Sequence, residues 1–186
     1  MGQARHCIET PAHGRDKVAP HYPDLLMKFT HLIEINTPGN PLIAPLTRAQ
    51  LWRGLVLRAE RPTLFLIGLD NCEITARSAD GLSRKLHFGK LQVVDEVRFE
   101  PLEQVRYHVP QQNDIPASAL TMTIEEPHPG ALFVRFSYDD HRESPESDEE
   151  SFYNEFRREA YKESDIDTIR MIRQLADEGQ LDTPLQ

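Results

Sequence analysis

Arg84, Asp95 and Tyr107 carry side chains that could orient a ligand, and the predicted hairpins bring them together. Gly89-Lys90 is a two-residue loop between two alternating segments, and a hairpin of this kind places Arg84 opposite Asp95. If residues 101–103 form a three-residue turn, Tyr107 lies one diagonal step from Asp95 on the next strand. All three share the apolar and therefore inward face that carries Leu82, Leu86, Phe88, Val93, Val97 and Phe99. We predict that this cluster is the polar anchor of an otherwise apolar pocket; the alternative is a buried ion pair that fixes strand register.

Three further polar residues are predicted to contact a ligand. His31 lies at an inward position of the first predicted strand, where it could be a general base, a hydrogen-bond donor or a satisfied core histidine. Ser164 and Thr168 interrupt the apolar stripe of the last helix. They either line a cavity or bond back to the preceding turn and let the helix approach the sheet. The predicted ligand-binding residues are therefore His31, Arg84, Asp95, Tyr107, Ser164 and Thr168, and none of them is assigned as catalytic.

Motifs that would identify a specific chemistry are missing from the sequence. It has no glycine-rich phosphate loop, Gly-x-Ser-x-Gly elbow, His-Glu-x-x-His pair or Cys-x-x-Cys pair. Cys7 and Cys72 are far apart, which indicates two free thiols rather than a zinc site or a disulfide framework. The net charge of -9 repels phosphate backbones. We therefore predict no cofactor, no metal and no nucleic-acid partner.

The elements that must position these residues are one strand, two short helical segments, six strands and one long helix. Residues 28–36 alternate between apolar and polar side chains, as a half-buried strand does. Thr47 and Gln50 form a capping box that opens a helix, and Gly54 within it indicates the close approach of another backbone. Pro62 opens a second short helix. Six strands follow, with short connections that imply antiparallel pairing, over residues 70–78, 82–88, 91–99, 104–109, 118–126 and 131–139.

The last predicted helix ends near residue 178, with Gly179 as its stop. The acidic segment 139–150 precedes it, and Ser147 and Glu150 in that segment form a second capping box. Spacings of three and four predict the core stripe of the helix as Tyr153, Phe156, Ala160, Tyr161, Ser164, Thr168, Met171, Ile172 and Leu175.

The length of the chain fits a single domain. With 186 residues and 39% hydrophobic content, it can bury one core of ordinary size. We predict an irregular tail over residues 1–26, a folded domain over 27–179 and a short tail over 180–186. No run approaches the roughly 18 apolar residues of a membrane-spanning helix, and the first residues lack the pattern of a secretory signal. A cytoplasmic protein without a membrane span is therefore expected.

Five segments together resemble one protein family: MKFTHLIEIN (27–36), LTRAQLWRGLVLRAE (46–60), GLDNCEI (68–74), LTMTIEE (120–126) and SDIDTIR (164–170). The sequence is similar to the acetylaranotin biosynthesis cluster protein L family, a branch of the START and Bet v 1-like superfamily. That resemblance implies an α+β helix-grip fold, in which a seven-stranded curved antiparallel sheet surrounds a long C-terminal helix in the order β-α-α-β6-α. It supplies no catalytic residue, and the superfamily includes carriers, polyketide cyclases and aromatases, hydroxylase domains and co-chaperones.

The expected function is the binding of a small, largely hydrophobic molecule in an internal cavity between the sheet and the C-terminal helix. One alternative is a cyclase or aromatase-like enzyme of secondary metabolism, which acts on a polyketide-like or cyclic-peptide-like substrate. His31 or Tyr107 would then move a proton. Another alternative is a co-chaperone-like interaction module that uses the acidic segment 139–150 as its contact surface. Whether the protein is an enzyme stays open at this stage.

Overall fold

A seven-stranded antiparallel sheet and two helices form the fold in this computed structural model, which describes residues 28–40, 43–139 and 148–182. The elements are β1 (Lys28–Glu34), α1 (Arg48–Glu60), a 3₁₀ turn (Pro62–Leu64), β2 (Asn71–Ser78), β3 (Gly81–Phe88), β4 (Leu91–Glu100), β5 (Gln104–Val109), β6 (Ser118–His128), β7 (Ala131–Asp139) and α2 (Asp148–Asp177). The predicted α+β class, element order and helix-grip architecture are confirmed. The second predicted helix is only a 3₁₀ turn.

The strands are arranged in the order β1-β7-β6-β5-β4-β3-β2, so the first strand pairs with the last. Every pairing is antiparallel, as the short connections predict. Arg84 lies opposite Asp95, and Tyr107 lies opposite Val97. The register predicted from the two hairpin loops is therefore confirmed, and it places the three polar side chains on the inward face.

Helix α1 begins at the predicted capping box. The side chain of Thr47 accepts a hydrogen bond from the Gln50 backbone, and the Gln50 side chain accepts one from the Thr47 backbone at 2.9 Å. A Cβ atom on Gly54 would lie 2.6 Å from Cγ2 of Ile172, so α2 approaches α1 closely at this point. The neighbour is the Ile172 side chain rather than a backbone.

Helix α2 buries Thr168, Ile172 and Leu175 of the predicted stripe, but the first half of the stripe differs from the prediction. Asp165, Thr168, Ile169, Ile172 and Leu175 are buried, whereas Phe156 is 68% exposed and Ala160 is exposed. The predicted stripe is wrong in its first half because it followed apolar side chains, while the residue that turns towards the sheet is the polar Asp165. The side chain of Tyr153 lies outside the described ones.

The C-terminus of α2 is closed by a Schellman motif. Gly179 has a φ of 71°, its N–H donates to Ala176, and the N–H of Gln180 donates to Leu175. The predicted helix stop is confirmed. Leu181 follows the motif and is buried in the core, so the chain continues to pack within the segment predicted as a C-terminal tail.

The predicted N-terminal tail and Ser147 of the second capping box lie outside the described residues, as does most of the acidic segment 139–150. Among the helices that the structure describes, none has the length and apolarity needed to cross a membrane.

Candidate functional site

The candidate site is centred on a row of three inward-facing side chains from β5, β6 and β7. Tyr107 lies opposite Leu120, and Leu120 lies opposite Tyr138. Residues directly opposite each other in an antiparallel sheet project from the same face, so the two phenol rings flank the leucine. We call these three residues the Tyr-Leu-Tyr row.

The Arg84–Asp95 pair lies beside Tyr107 and has its hydrogen bonds satisfied within the protein. Arg84 Nε donates to Asp95 Oδ1 at 2.9 Å, and Arg84 Nη2 donates to Asp95 Oδ2. Arg84 Nη1 donates to the carbonyl oxygen of Ala59 at 2.8 Å, in the last turn of α1. The two residues are 2% and 3% exposed. Burial opposes the charge on Arg84, but hydrogen bonding and Coulombic attraction to Asp95, with smaller contributions from Tyr107 and Cys72, together outweigh it and raise the pKa of the guanidinium.

Tyr107 lies between two guanidinium groups. The Cζ atoms of Arg58 and Arg84 are 5.3 Å and 5.1 Å from the centre of its ring. The residue is 6% exposed, and its buried Oη atom has no hydrogen-bond partner in the described part of the chain. A buried hydroxyl without a partner costs about 1–3 kcal/mol, so this donor is available to an incoming acceptor.

Arg58 is a functional candidate that the sequence reasoning missed. It is 7% exposed, and its Nε donates to Thr168 Oγ1 at 3.2 Å. Thr168 in turn donates to the carbonyl oxygen of Ser164 at 3.0 Å, which is the predicted bond back to the preceding turn. Burial opposes the charge on Arg58, but Tyr107 and the neighbouring acidic groups outweigh it and raise the pKa. The spacing of Leu51, Leu55 and Arg58 by four and three was a signal that Arg58 faces inward.

A second polar cluster joins β1, β7 and α2. Asp165 Oδ2 lies 2.7 Å from His31 Nε2, and Tyr138 Oη donates to Oδ1 and Oδ2 of Asp165 at 2.9 Å and 2.8 Å. Phe29 and Phe136 both stack with the imidazole, with ring centres 5.4 Å and 5.2 Å away. The sequence reasoning missed Asp165 and Tyr138, although the alternation of β7 placed Tyr138 inward.

Burial dominates the titration of this second cluster. It raises the pKa of the Asp165 carboxyl above its usual value of 3.8, although hydrogen bonds from His31 and Tyr138 oppose the shift. Burial and the adjacent Asp165 also raise the pKa of the Tyr138 phenol, which therefore stays protonated as a hydrogen-bond donor.

The six residues predicted from the sequence fall into two neighbouring groups. Arg84, Asp95 and Tyr107 form one cluster, and Thr168 joins it through Arg58. His31 belongs to the second cluster, which α2 links to the first because Asp165 and Thr168 are one turn apart. Ser164 is half-buried and contributes its carbonyl oxygen to Thr168. Ligand binding by these six residues stays a prediction.

The inward side chains on the concave face of the sheet are more deeply buried at one end than at the other. Val97, Val105, Met122 and Val134 have no exposed surface, so the sheet, α1 and α2 are fully packed there. Towards the other end, the inward side chains of Phe88, Val93, Val109 and Leu120 are only partly buried. The Tyr-Leu-Tyr row lies at the boundary between the packed end and the partly open end.

Grooves outside this region include two that border α2. One of about 320 Å³ separates the 3₁₀ turn from α2, and one of about 440 Å³ lies between residues 43–46 and the end of α2. Within the described ranges, no group of three or more His, Cys, Asp or Glu side chains could hold a metal ion. The chemistry that the site offers is hydrogen-bond donation from Tyr107 and Arg58, together with an imidazole held by a carboxylate.

Comparisons with known proteins agree with this architecture. The di-domain ARO/CYC StfQ from the steffimycin biosynthetic pathway matches with a TM-score of 0.63 and 9% identity, over 84% of this chain and 53% of that chain. The chain thus spans about half the length of that di-domain protein. ZhuI aromatase/cyclase from Streptomyces sp. R1128 matches with a TM-score of 0.57 and 10% identity, over 82% and 94%. TTHA0849 from Thermus thermophilus matches with a TM-score of 0.53 and 13% identity, over 80% and 95%.

At these identities the solved structures show a common fold and no more. No curated protein sequence matches the chain. The model of the AtaL family, described as acetylaranotin biosynthesis cluster protein L, matches residues 33–179, which is most of the sequence. The chain therefore belongs to the acetylaranotin biosynthesis cluster protein L family, with the helix-grip fold of Bet v 1-like proteins.

Proposed function

We propose that the protein binds a small, mainly apolar molecule between the partly open end of the concave face and α2. The observation that carries this proposal is Tyr107, a member of the hydrophobic core whose buried hydroxyl has no hydrogen-bond partner of normal geometry among the described residues. A ligand with a hydrogen-bond acceptor at one end would satisfy this donor, and its apolar body would cover Leu120 and its partly buried neighbours.

The contacts of the predicted residues suggest distinct roles in this binding. Tyr107 donates to the ligand. Arg84 contacts the ring of Tyr107 through a cation–π interaction, and its hydrogen bonds to Asp95 and Ala59 fix its position. Thr168 positions Arg58, and His31 lies at the β1 side of the space.

Filling the space tests the proposal. Nile red, a neutral apolar dye, should bind the wild-type protein saturably with an increase in fluorescence. Leu120→Trp should abolish that binding, whereas Thr121→Trp, on the next residue of β6 and the opposite face, should retain it. Far-ultraviolet circular dichroism and thermal melting establish that both variants are folded. A folded Leu120→Trp variant that binds the dye as tightly as the wild type would contradict binding at this place.

Native mass spectrometry provides an independent measurement. Protein purified from its own source is expected to carry an adduct whose mass identifies the ligand. Repeated absence of an adduct, combined with no saturable dye binding by the wild type, would exclude the proposed function.

Catalysis is a second candidate function, and the contact between His31 and Asp165 favours it. With the Nε2 proton donated to Asp165, the Nδ1 atom of His31 keeps its lone pair, and it has no partner in the described part of the chain. An imidazole held in this way can remove a proton next to a carbonyl group, a step that polyketide-like cyclisation requires. Both the biosynthetic cluster in the family description and the aromatase/cyclases of the same fold are compatible with such a reaction.

Hydrogen–deuterium exchange at the acidic carbon of an aryl-substituted 1,3-diketone, followed by proton NMR, tests the catalytic candidate. His31→Gln should remove any enzyme-dependent exchange, and the exposed His108→Gln should leave it unchanged. Exchange that persists in a folded His31→Gln variant would exclude this role for His31. The co-chaperone alternative stays a prediction, since its acidic segment lies mostly outside the described residues.

A further inference from the structure

The concave face contains two buried guanidinium groups in opposite electrostatic situations. Arg84 is compensated by a bidentate carboxylate, Asp95. Arg58 forms an ion pair with no carboxylate in the described part of the chain, and its hydrogen bond there is to the neutral hydroxyl of Thr168. Taking a charge out of water is costly unless the charge is paired, so Arg58 is an exception that needs a reason.

The nearby carboxylate of Asp165 does not form an ion pair with Arg58, because its oxygens are bound by other groups. One of its oxygens contacts His31, and both accept from the Tyr138 hydroxyl. Asp165 raises the pKa of Arg58 only through its charge, whereas the Tyr107 hydroxyl raises that pKa both electrostatically and as a side-chain hydrogen-bond partner. The two side chains nevertheless lack a hydrogen bond of normal geometry. The Nη1 and Nη2 groups of Arg58 therefore lack a carboxylate partner among the described side chains, and the Tyr107 hydroxyl is their neutral neighbour.

The unsatisfied groups beside Tyr107 are all donors. Arg58 offers two Nη groups, and Tyr107 offers one hydroxyl whose ring is 5.3 Å from the Arg58 Cζ atom. A planar anion with two oxygens matches a guanidinium edge, and charge-assisted hydrogen bonds are about twice as strong as neutral ones. The apolar surroundings, with Leu120 opposite Tyr107, match the remainder of an amphipathic acid.

We propose that the ligand of this site is a small apolar acid, whose carboxylate is bound by the Nη groups of Arg58 and the hydroxyl of Tyr107. This inference rests on the proposed function and adds the chemical class of the ligand to it. Arg58 then sets specificity, and Thr168 is a positioning residue that fixes the plane of the guanidinium through Nε.

Matched pairs of acid and primary amide test this inference on the full chain. The probes are decanoate with decanamide and naphthalene-acetate with its amide, each measured by displacement of Nile red and by isothermal titration calorimetry. The wild-type protein should bind each acid about tenfold or more tightly than the amide. Arg58→Met should reduce that ratio to about one, Arg58→Lys should retain part of it, and the exposed Arg61→Met should leave it unchanged.

Folding of the key variant is measured separately. Arg58→Met removes a buried cation that has no carboxylate partner among the described residues, and Thr168 keeps its hydrogen bond to Ser164. The variant should therefore unfold at the same temperature as the wild type or at a higher one. Decanoate should raise the melting temperature of the wild type and not that of Arg58→Met. If Arg58→Met does not fold, the Arg58→Lys variant and the wild-type ratio still decide the inference.

The possible outcomes separate this inference from the proposed function. Equal binding of acid and amide by the wild type, with Nile red bound, overturns the carboxylate assignment and leaves the apolar pocket in place. A preference for the acid that survives in Arg58→Met overturns the role of Arg58. Failure of the wild type to bind Nile red or any probe overturns both proposals.

Discussion

Simultaneous replacement of Arg84 and Asp95 by apolar residues should cost far less stability than the two single replacements together. The proposed cycle consists of Arg84→Met, Asp95→Leu and the double variant. Each single change leaves one buried charge without its partner, and each should cost about 3–5 kcal/mol. The double change removes both charges, so no uncompensated charge remains in the core.

The structure permits an estimate for the double variant. Replacement of a buried ion pair by apolar residues is neutral or stabilising, by about 1–4 kcal/mol. Two losses oppose this gain. The carbonyl oxygen of Ala59 loses the donor from Arg84 Nη1, at about 1–3 kcal/mol, and Tyr107 loses a cation–π contact of about 0.5–2 kcal/mol. At mid-range values the double variant should therefore cost about 1 kcal/mol, against about 8 kcal/mol for the two single variants together. Even at the extremes of these ranges the coupling energy should be at least about 1 kcal/mol.

Urea unfolding followed by circular dichroism measures the free energies in this cycle. The matched control is the pair Arg135 and Glu125, which also joins neighbouring strands through Nε and Nη2 of the arginine. Those two side chains are 40% and 33% exposed, so solvent screens the attraction. Their coupling energy should be below about 1 kcal/mol. Additive single costs at Arg84 and Asp95, or equal coupling in the two pairs, would refute the reasoning.

The same double variant separates the two interpretations of the pair. Because the bonds of Arg84 to Asp95 and Ala59 are satisfied within the protein, Nile red should bind the double variant as it binds the wild type. A folded double variant without dye binding would instead assign Arg84 or Asp95 a direct contact with the ligand.

Three further predictions follow from individual contacts. Gly54→Ala should lower the free energy of unfolding by about 1–3 kcal/mol because the added methyl group meets Ile172, and about 1 kcal/mol of helix propensity should offset part of this loss. In the Ile172→Ala background the same change should be neutral or stabilising when measured by urea unfolding. Equal costs in both backgrounds would contradict the contact. The unliganded Tyr107→Phe variant should be as stable as the wild type, or more stable by up to about 3 kcal/mol, in the same assay. A clear loss of stability in this variant would show that Oη of Tyr107 has a hydrogen-bond partner. Because the pKa of the Asp165 carboxyl is raised, the folded state binds this proton more tightly than the unfolded state does. The resulting contribution to stability is fully present below pH 3.8 and is lost as the pH rises through the raised pKa. The stability of Asp165→Asn in the His31→Gln background should therefore rise relative to that of His31→Gln as the pH increases above 3.8, and a difference that does not change with pH would refute this.

The hairpin region was predictable because its rules are local. A two-residue loop at Gly89-Lys90 determines which residues of β3 and β4 face each other, and side-chain alternation then determines the inward face. The positions of Arg84, Asp95 and Tyr107 follow from these two rules alone. Helix α1 was predictable for a similar reason, since its capping box involves residues only three apart.

The contacts across α2 were not predictable in the same way. Apolar periodicity assigns an inward face to hydrophobic residues, but Asp165 faces inward because His31 and Tyr138, distant in sequence, hydrogen-bond to it. The polarity of Asp165 concealed its burial, and the apolar character of Phe156 concealed its exposure. Arg58 was overlooked because a charged residue on an apolar helix face is normally assigned to the surface.

The contrast between Arg84 and Arg58 connects the fold to the proposed function. Arg84 forms its hydrogen bonds to groups of the protein, to a carboxylate on β4 and to the last turn of α1, and it thereby joins the sheet to the helix. Arg58 is similarly buried, but Thr168 satisfies only its Nε group. If both arginines were merely structural, the same reasoning about desolvation would require a carboxylate beside each of them. Only the first has one among the described residues, so the second is the group from which the chemistry of the ligand should be inferred.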